Sequence, residues 1–263
     1  MNYTTILVER DETEPIATVT VNRPEKLNPL NSTVLNELSA AFAELEADEK
    51  VRVIIMTGMG DRSFIAGADI TELNALPDPI KAAEHAKKGQ ALTFQIERLA
   101  KPVIMAINGF ALGGGLEIAM AGDIRIASEN AQLGQPEIDL GIIPGFGGTQ
   151  RLARLVGRGQ AKLMIMGGQR ISATEALRMG LVEKVVPLAL LNEEARLLAK
   201  LIASKPPIAV KLAKAAINEG IEVDLDRGCS IEANYFGLLY NTADRKEGTS
   251  AFLQKRKPEF KGN

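Results

Sequence analysis

The sequence predicts an α/β fold, because short β-branched runs alternate with longer segments of helical periodicity. Residues 16–21 (IATVTV) and 51–56 (VRVIIM) have the composition of strands, and a helical pattern lies between them. After about residue 192 the strand signals fade and only helical patterns remain. We therefore expect a body of alternating strands and helices, followed by a helical C-terminal segment.

The elements can be placed in chain order. Residues 22–24 end the first strand, and Asn31 and Ser32 can cap the helix that follows. That helix repeats apolar side chains at Leu35, Leu38, Phe42 and Leu45. Residues 58–69 are expected to form a loop. Further helices are predicted at 79–99, 115–121, 149–155, 206–219 and 231–239, and further strands at 103–107 and 124–127.

The composition describes a globular protein without a strong charge bias. Of 263 residues, 46% are hydrophobic and 24% charged, and the net charge of −2 gives no reason to expect nucleic acid or a membrane surface as partner. The N-terminus shows no signal or transit pattern, and no apolar run reaches the roughly 18 residues of a membrane span. We expect a cytoplasmic protein.

Cysteine and histidine each occur once, which limits the chemistry. Cys229 excludes an internal disulfide and is interpreted as a small buried hydrophobe. His85 lies in a polar helical stretch and is interpreted as a solvated surface residue. Since no cluster of these residues has zinc spacing, we expect no metal site and no Ser-His or Cys-His mechanism.

Glu117 is the first candidate site residue, at the end of the run ALGGGLE (111–117). Glycines let a ligand approach the main chain. A helix that begins near Gly115 presents unpaired N–H groups and the positive end of its dipole, a setting suited to an oxyanion. The alternative is that the glycines serve tight packing and Glu117 merely complements the dipole.

Two further segments can complete such a site. Residues 66–69 (AGAD) offer a second backbone donor, or else form an ordinary loop with Asp69 as a helix cap. Glu137, in the segment GQPE (134–137), is a second carboxylate, or else a surface loop residue. Two carboxyls around one small reactant raise one pKa, so that one donates a proton while the other accepts.

Together, the segments NGFALGGGLEIA (108–119), GQPE (134–137) and PGFGGTQRL (144–152) resemble the enoyl-CoA hydratase (crotonase) family. The likeness extends from residues 22–24 to residues 251–257. Relatives with other chemistry commonly lack one or both glutamates, and here both are present. The resemblance implies a spiral of repeated ββα units over residues 1–191. It also implies a helical segment, residues 192–263, that builds homotrimers, often paired into hexamers.

The implied activity is that of a short-chain enoyl-CoA hydratase or 3-hydroxybutyryl-CoA dehydratase of fatty acid β-oxidation. Such an enzyme adds water syn and reversibly to a trans-2-enoyl-CoA, giving a 3-hydroxyacyl-CoA. The backbone N–H groups of Ala68 and Gly114 would bind the thioester oxygen. Glu117 would activate water, Glu137 would deliver a proton to C2, and Gly145 would shape the water pocket. The resemblance implies no cofactor, since CoA is part of the acyl-CoA thioester substrate.

The CoA contacts implied by the resemblance fall into three segments. They are Glu25, Lys26 and Leu27, then Ala66, Asp69 and Ile70, and finally Phe252 and Lys255. Thr71 stands where some members carry a lysine, which weakens any basic phosphate contact there. For residues 255–257 (KRK) a solvated basic tail is the alternative.

Two other functions stay open on the sequence alone. A Δ3-Δ2-enoyl-CoA isomerase shuttles a proton through a carboxylate and adds no water. A non-catalytic oligomeric binding protein would use the fold as a scaffold, although the net charge of −2 offers no basic patch. The acyl chain length is not fixed, and we expect residues 73–94 to shape the acyl pocket.

Overall fold

The computed structural model describes residues 3–263, which form ten strands and ten α-helices. The strands are β1 (Ile6–Arg10), β2 (Ile16–Val21), β3 (Val53–Gly58), β4 (Ser63–Ile65), β5 (Val103–Ile107), β6 (Phe110–Leu112), β7 (Ile124–Ser128), β8 (Gln132–Gly134), β9 (Arg170–Ser172) and β10 (Lys184–Val186). The helices are α1 (Ser32–Ala47), α2 (Ile70–Asn74), α3 (Pro79–Arg98), α4 (Gly114–Ala121), α5 (Gly148–Met166), α6 (Ala173–Arg178), α7 (Leu191–Ala203), α8 (Pro207–Gly220), α9 (Leu225–Leu239) and α10 (Ala243–Leu253).

The strands form two sheets whose members alternate along the chain. The larger sheet has the order β1-β2-β3-β5-β7-β10 and is parallel except for β1. The smaller sheet has the order β4-β6-β8-β9, in which β4, β6 and β8 are parallel. The chain therefore repeats one pattern three times, in β3-β4, β5-β6 and β7-β8. The first strand of each pair joins the larger sheet, the second joins the smaller sheet, and a helix follows. This arrangement is the predicted spiral of ββα units.

The larger sheet is covered on both faces, which explains why its central strands β3 and β5 are almost entirely apolar. One face carries Ile54, Met56 and Met105 into the main core, which also contains the buried side of α1. The other face carries Val53 and Ile55 against α7, whose contacting side chains are Leu191, Ala195, Ala199 and Ala203. The larger sheet therefore supports the smaller sheet and the loops that follow strands β4, β6 and β8.

Strands and helices with strong local signals were predicted correctly. Strands at 16–21 and 103–107 are observed, and Asn31 caps α1 by accepting a hydrogen bond from the Val34 N–H. The predicted loop at 58–69 was wrong, because it contains β4, and the strand expected at 51–56 begins two residues later. Three-residue strands such as β4 are too short to show alternation, and their pairing partners are distant in sequence.

The C-terminal helices α8 and α9 have no buried residue. They pack on each other at Gly220 and Gly228, where a Cβ on Gly228 would lie 3.2 Å from the Gly220 carbonyl oxygen. Cys229 is therefore exposed, and its interpretation as a buried hydrophobe was wrong. No helix among residues 3–263 is long and apolar enough to cross a membrane.

Candidate active site

Three parallel strands of the smaller sheet, β4, β6 and β8, end at one edge. Residues 66–68 follow β4, the three glycines 113–115 follow β6, and residues 135–137 follow β8. Since the carboxyl ends of parallel strands meet at the same edge, segments distant in sequence become neighbours. The Gly113 N–H donates to the Gly134 carbonyl at 2.9 Å. A Cβ on Gly113 would lie 3.2 Å from Glu137 Oε1, so Glu137 faces the glycines.

Two backbone N–H groups at this edge have no hydrogen-bond partner within residues 3–263. The Leu30 N–H donates to the Gly67 carbonyl and the Asp69 N–H donates to the Leu30 carbonyl, and this pairing leaves the Ala68 N–H between them unused. Gly114 is the first residue of α4, where an N–H has no helical acceptor. The predicted donors are thus available for an anionic oxygen.

Direct packing joins the two donor segments. A Cβ on Gly115 would lie 2.0 Å from the Ile65 carbonyl oxygen, so the start of α4 rests on the end of β4 with no room for a side chain. Gly113 has φ 52°, in the left-handed region that favours glycine. The alternative that the glycines of residues 113–115 serve tight packing is therefore correct in part. The same close approach brings α4 beside residues 66–68.

Glu117 is buried, with 2% of its surface exposed. Its Oε1 accepts hydrogen bonds from the Phe146 N–H at 2.8 Å and from the Gly148 N–H at 2.6 Å. Burial raises the pKa of Glu117 to about 7. The Gly148 and Phe146 N–H groups and the Arg151 charge oppose this shift, because each favours the ionised form. Glu117 can therefore change its protonation state near neutral pH.

Glu137 is half-buried in the turn Pro136–Leu140, and not a surface loop carboxylate. Burial, followed by the charge of Glu117, raises the pKa of Glu137 to about 8. Gln135 is fully buried beside it. With its amide nitrogen turned toward Glu137, the orientation that satisfies both groups, Gln135 donates to Oε1 at 2.8 Å and to Oε2 at 3.1 Å. The two carboxyls are electrostatically coupled, and their pKa values of about 7 and about 8 both lie near neutral pH.

Helix α3 supports the loop that contains Gly145 and Phe146. Gln90 Nε2 donates to the Gly145 carbonyl at 2.9 Å, and the Phe146 ring lies against Gly89, where a Cβ would be 2.1 Å from a ring carbon. His85 lies against the same ring in a tilted arrangement, with centroids 5.5 Å apart. Its interpretation as a solvated residue was wrong, because it is half-buried and desolvation lowers the pKa of its imidazole.

The first predicted CoA segment, residues 25–27, is joined to the segment that carries Ala68. Glu25 and Lys26 are exposed in the turn Pro24–Lys26, and the Leu27 carbonyl accepts the Ala66 N–H at 3.1 Å. This hydrogen bond ties the turn to the segment that carries Ala68. Ile70 follows at the start of α2, with 53% of its surface exposed.

The side chains of Asp69, Phe252 and Lys255 are placed differently. Asp69 caps α2 by accepting a hydrogen bond from the Thr71 N–H at 3.2 Å, which is the helix-cap role predicted as the alternative for this residue. Its side chain also forms an ion pair with Arg23 at 3.4 Å. Phe252 and Lys255 lie at the end of α10 and are exposed. Within residues 3–263 no hydrogen bond or ion pair joins either side chain to the two glutamates.

Several groups that complete the site were not recognised in the sequence. The side chain of Gln135 was not among the predicted site groups, and the N–H groups that bind Glu117 come from residues about thirty positions later in the chain. The signal was present in part, since both segments belong to the glycine-rich motifs already singled out. Their side-chain burial depends on strand pairing, which the sequence does not reveal locally.

Comparison with known proteins agrees with this geometry. Residues 11–263 match the family model described as enoyl-CoA hydratase/isomerase, and the chain belongs to that family. The short-chain-enoyl-CoA hydratase of Clostridium acetobutylicum is 49% identical over 259 residues, covering 98% of both chains. The crotonyl-CoA hydratase of Syntrophomonas wolfei is 50% identical over 260 residues, covering 99% of both. These matches confirm the resemblance seen in the sequence.

A solved structure gives the same result for the fold. The crystal structure of an enoyl-CoA hydratase from Bacillus anthracis superposes with a TM-score of 0.95 at 44% identity. The superposition covers 99% of this chain and 100% of that one. The predicted fold class, a crotonase-like α/β spiral with a helical C-terminal region, is therefore confirmed.

The raised pKa of Glu137 predicts a pH-dependent stability. Its folded-state value of about 8 lies above the roughly 4.3 of an unfolded glutamate, so its stabilising contribution is complete at low pH and is lost as the pH rises through about 8. Glu137→Gln should therefore be more stable than the parent at pH 9, by about 1 kcal/mol or more, and not at pH 4.5. Thermal unfolding across this range, with exposed Glu25→Gln as control, measures the difference. Parallel curves for Glu137→Gln and the parent would contradict it.

Proposed function

We propose that this chain is a short-chain enoyl-CoA hydratase, which adds water reversibly to trans-2-enoyl-CoA thioesters. The observation that carries the proposal is the coupled pair Glu117 and Glu137, both with pKa values raised into the neutral range. Unused backbone donors lie at the same sheet edge. The names of the similar proteins from Clostridium acetobutylicum and Syntrophomonas wolfei support a short acyl chain.

The backbone donors polarise the thioester in the proposed mechanism. The N–H groups of Ala68 and Gly114 donate to its carbonyl oxygen, which draws electron density from the C2–C3 double bond. Attack at C3 converts that carbonyl into an enolate, and the two hydrogen bonds strengthen as the charge develops. Removing one such donor costs on the order of 3 kcal/mol of transition-state stabilisation in enzymes of this type.

The two carboxyls divide the proton transfers between them. Ionised Glu117 takes a proton from water as the water oxygen bonds to C3. The double-bond electrons move onto the thioester, and the enolate then takes the proton of Glu137 at C2. Both groups act from the same side of the substrate, which gives syn addition. The proton gained by Glu117 and the one lost by Glu137 balance, so the pair keeps one proton in total. That proton returns from Glu117 to Glu137, directly or through water, before the next turnover.

The assignment of roles follows the local environment. Glu117 accepts hydrogen bonds from two backbone N–H groups and lies near the positive charge of Arg151. All three interactions favour its ionised form. Glu137 faces the charge of Glu117, which favours its protonated form. The derived reaction uses no cofactor, since CoA arrives with the substrate, and Gly145 borders the space for water beside Phe146.

For the CoA moiety we propose a path along the turn Pro24–Lys26, Leu27, Ala66 and the exposed Ile70, which leads away from Ala68. Phe252 and Lys255 reach CoA in this proposal only from a neighbouring copy, since in one chain they lie apart from the glutamates. The Asp69 side chain caps α2 and pairs with Arg23, and the CoA contact expected at this position stays a prediction.

Replacement of either carboxyl tests the reaction. Glu117→Gln and Glu137→Gln should each lower kcat by at least about 10²-fold, because each loses one proton transfer. The measurement is hydration of crotonyl-CoA and longer 2-enoyl-CoAs, followed by loss of the enoyl-thioester absorbance. The parent should show a kcat/KM that falls as the chain lengthens, inside a bell-shaped pH profile with limbs near 7 and 8. Near-normal turnover by either variant would refute the two-carboxyl mechanism, and activity on 3-enoyl-CoA alone would identify an isomerase.

The backbone donor at Gly114 can be removed without changing a side-chain acid. Gly114→Pro deletes the N–H at the first position of α4, where proline is compatible with a helix, and should reduce kcat by about 10²-fold or more. Gly114→Ala is the matched control, because it keeps the N–H while adding a Cβ 3.1 Å from Leu30 Cδ1. Equal losses in the two variants would assign the effect to crowding and overturn the oxyanion role.

We also propose that residues 192–263 assemble the chain into a homotrimer or a dimer of trimers, while residues 1–191 carry the site. Helices α8 and α9 have no fully buried residue in the single chain, and exposed apolar groups line them. The most exposed of these side chains are Ile217, Ile221, Leu225, Phe236 and Leu238. Helices of this kind gain stability by covering such groups with another copy. Helix α7 attaches the segment to the body through its contacts with the larger sheet.

Sedimentation velocity tests the assembly. The parent should sediment as a trimer or hexamer at micromolar concentration, and Leu225→Asp should dissociate it, because Leu225 is 80% exposed in the single chain and would face a partner. Leu177→Asp, on α6 outside the segment, should leave the assembly intact. A monomeric parent, or dissociation by the Leu177 variant alone, would contradict the proposal.

A further inference from the structure

Helix α3 contacts the loop 144–148 through two polar side chains spaced three residues apart, Gln90 and Thr93, which places them on one face of the helix. Gln90 Nε2 donates to the Gly145 carbonyl at 2.9 Å. The Thr93 hydroxyl lies 3.0 Å from the Phe146 carbonyl and is fully buried. Two consecutive carbonyls of the loop are therefore held by the same helix face.

The carbonyl that Gln90 binds belongs to the peptide group that serves Glu117. The Gly145 C=O and the Phe146 N–H are the two ends of one planar peptide, so fixing the carbonyl fixes the direction of the N–H. That N–H donates to Glu117 Oε1 at 2.8 Å. A side chain of α3 is thus coupled to the carboxylate through a single rigid unit.

The next peptide is fixed by Thr93 together with Arg151. Arg151 Nη1 donates to the Thr93 hydroxyl at 3.1 Å and to the Phe146 carbonyl at 3.3 Å. Its Nε donates to Glu97 at 3.0 Å, and its guanidinium lies 5.0 Å from the centre of the Phe94 ring. The guanidinium is held from several sides, so the Phe146 carbonyl has a rigid partner.

We propose that Gln90 and Thr93 are positioning residues, which hold two consecutive peptide groups of the loop so that the Phe146 N–H stays on the Glu117 carboxylate. Neither side chain contacts Glu117 itself. Their effect on hydration rests on the proposed function, whereas their effect on the ionisation of Glu117 does not. The two effects can therefore be tested separately.

The direction of the effect on ionisation follows from the groups that face Glu117. Burial disfavours the Glu117 carboxylate, whereas the Gly148 and Phe146 N–H groups and Arg151, from the loop and α5, favour it. The charge of Glu117 acts in turn on Glu137, whose pKa it raises. From α3, Glu97 pairs with Arg151, and His85 lies against the Phe146 ring. Loosening the Phe146 N–H removes one favourable contact, so the pKa of Glu117 should rise.

The α3 helix offers a closely matched control for Gln90. Gln95 is half-buried, as Gln90 is, and its Nε2 also donates to a backbone carbonyl at 2.9 Å, but that carbonyl belongs to Ser39 of α1. Gln90→Met and Gln95→Met each remove one such hydrogen bond from the same helix, and Gln95→Met also removes the bond that Gln95 Oε1 accepts from the Ser39 hydroxyl at 2.7 Å. Only the first variant releases the loop that serves Glu117.

The experiment compares these variants in two measurements. Infrared titration follows the carboxyl C=O band of Glu117, assigned by its absence in Glu117→Gln, and steady-state hydration of crotonyl-CoA gives kcat, KM and the pH profile. For Gln90→Met we expect the midpoint and the acid limb to rise by about half a pH unit. We also expect kcat to fall about tenfold with KM within about twofold, since misplacement of a catalytic group acts mainly on the chemical step. Gln95→Met should change none of these quantities.

Thr93 provides a second test. Thr93→Val should shift the midpoint and kcat in the same directions, and Thr93→Ser should restore both, because it returns the hydroxyl. Should Thr93→Val fail to fold, Gln90→Met still decides, since Gln90 is only half-buried. An unmoved Glu117 midpoint in Gln90→Met, or an equal shift in Gln95→Met, would overturn the proposal. A parent without hydratase activity would refute the proposed function and leave the infrared result valid.

Discussion

The parallel pairing of the short strands β4, β6 and β8 is the constraint on which the site depends. Each strand has three residues, and each ends at the edge where a donor or a carboxyl follows. The pairing tolerates no slip, because the start of α4 touches the end of β4 at Gly115, where a Cβ would lie 2.0 Å from the Ile65 carbonyl oxygen. A displaced strand would separate the donor segments and turn the carboxyls away from each other. The larger sheet, covered on both faces, supplies the rigidity that such short strands lack.

Burying two ionisable carboxyls near each other is unfavourable. In this structure the penalty raises the two pKa values by different amounts. Desolvation raises both pKa values, and the mutual charge adds to the effect on Glu137. The loop 144–148 then favours ionisation of Glu117 alone, through the Phe146 and Gly148 N–H groups. Chemically identical side chains thereby acquire different tendencies, one toward base and one toward acid. The loop owes its shape to α3, so the chemistry of the edge depends on a helix that carries neither carboxyl.

The C-terminal helices α8 and α9 differ from the body in their burial. In α8 and α9 no residue is buried, and their apolar side chains face outward from the single chain. Apart from their contact with each other, these helices leave exposed apolar groups uncovered in the single chain, and a second copy is the partner proposed to cover them. The body is held by its own core and positions the site internally. Assembly and proton transfer are thus assigned to separate parts of one fold.

Composition, periodicity and glycine-rich motifs are local properties, so the α/β class, the longer strands and helices, and both glutamates could be predicted before the structure was known. The strand at 103–107 and the Asn31 cap were visible for this reason. Only the tertiary structure decided that β4 and its partners pair and that Gln135 lies against Glu137. It also decided that His85 is covered by Phe146 and that Cys229 is exposed. Each of these facts depends on what a distant segment places next to the residue. Desolvation, hydrogen bonding and charge proximity arise from the folded environment, and no short stretch of sequence contains that environment.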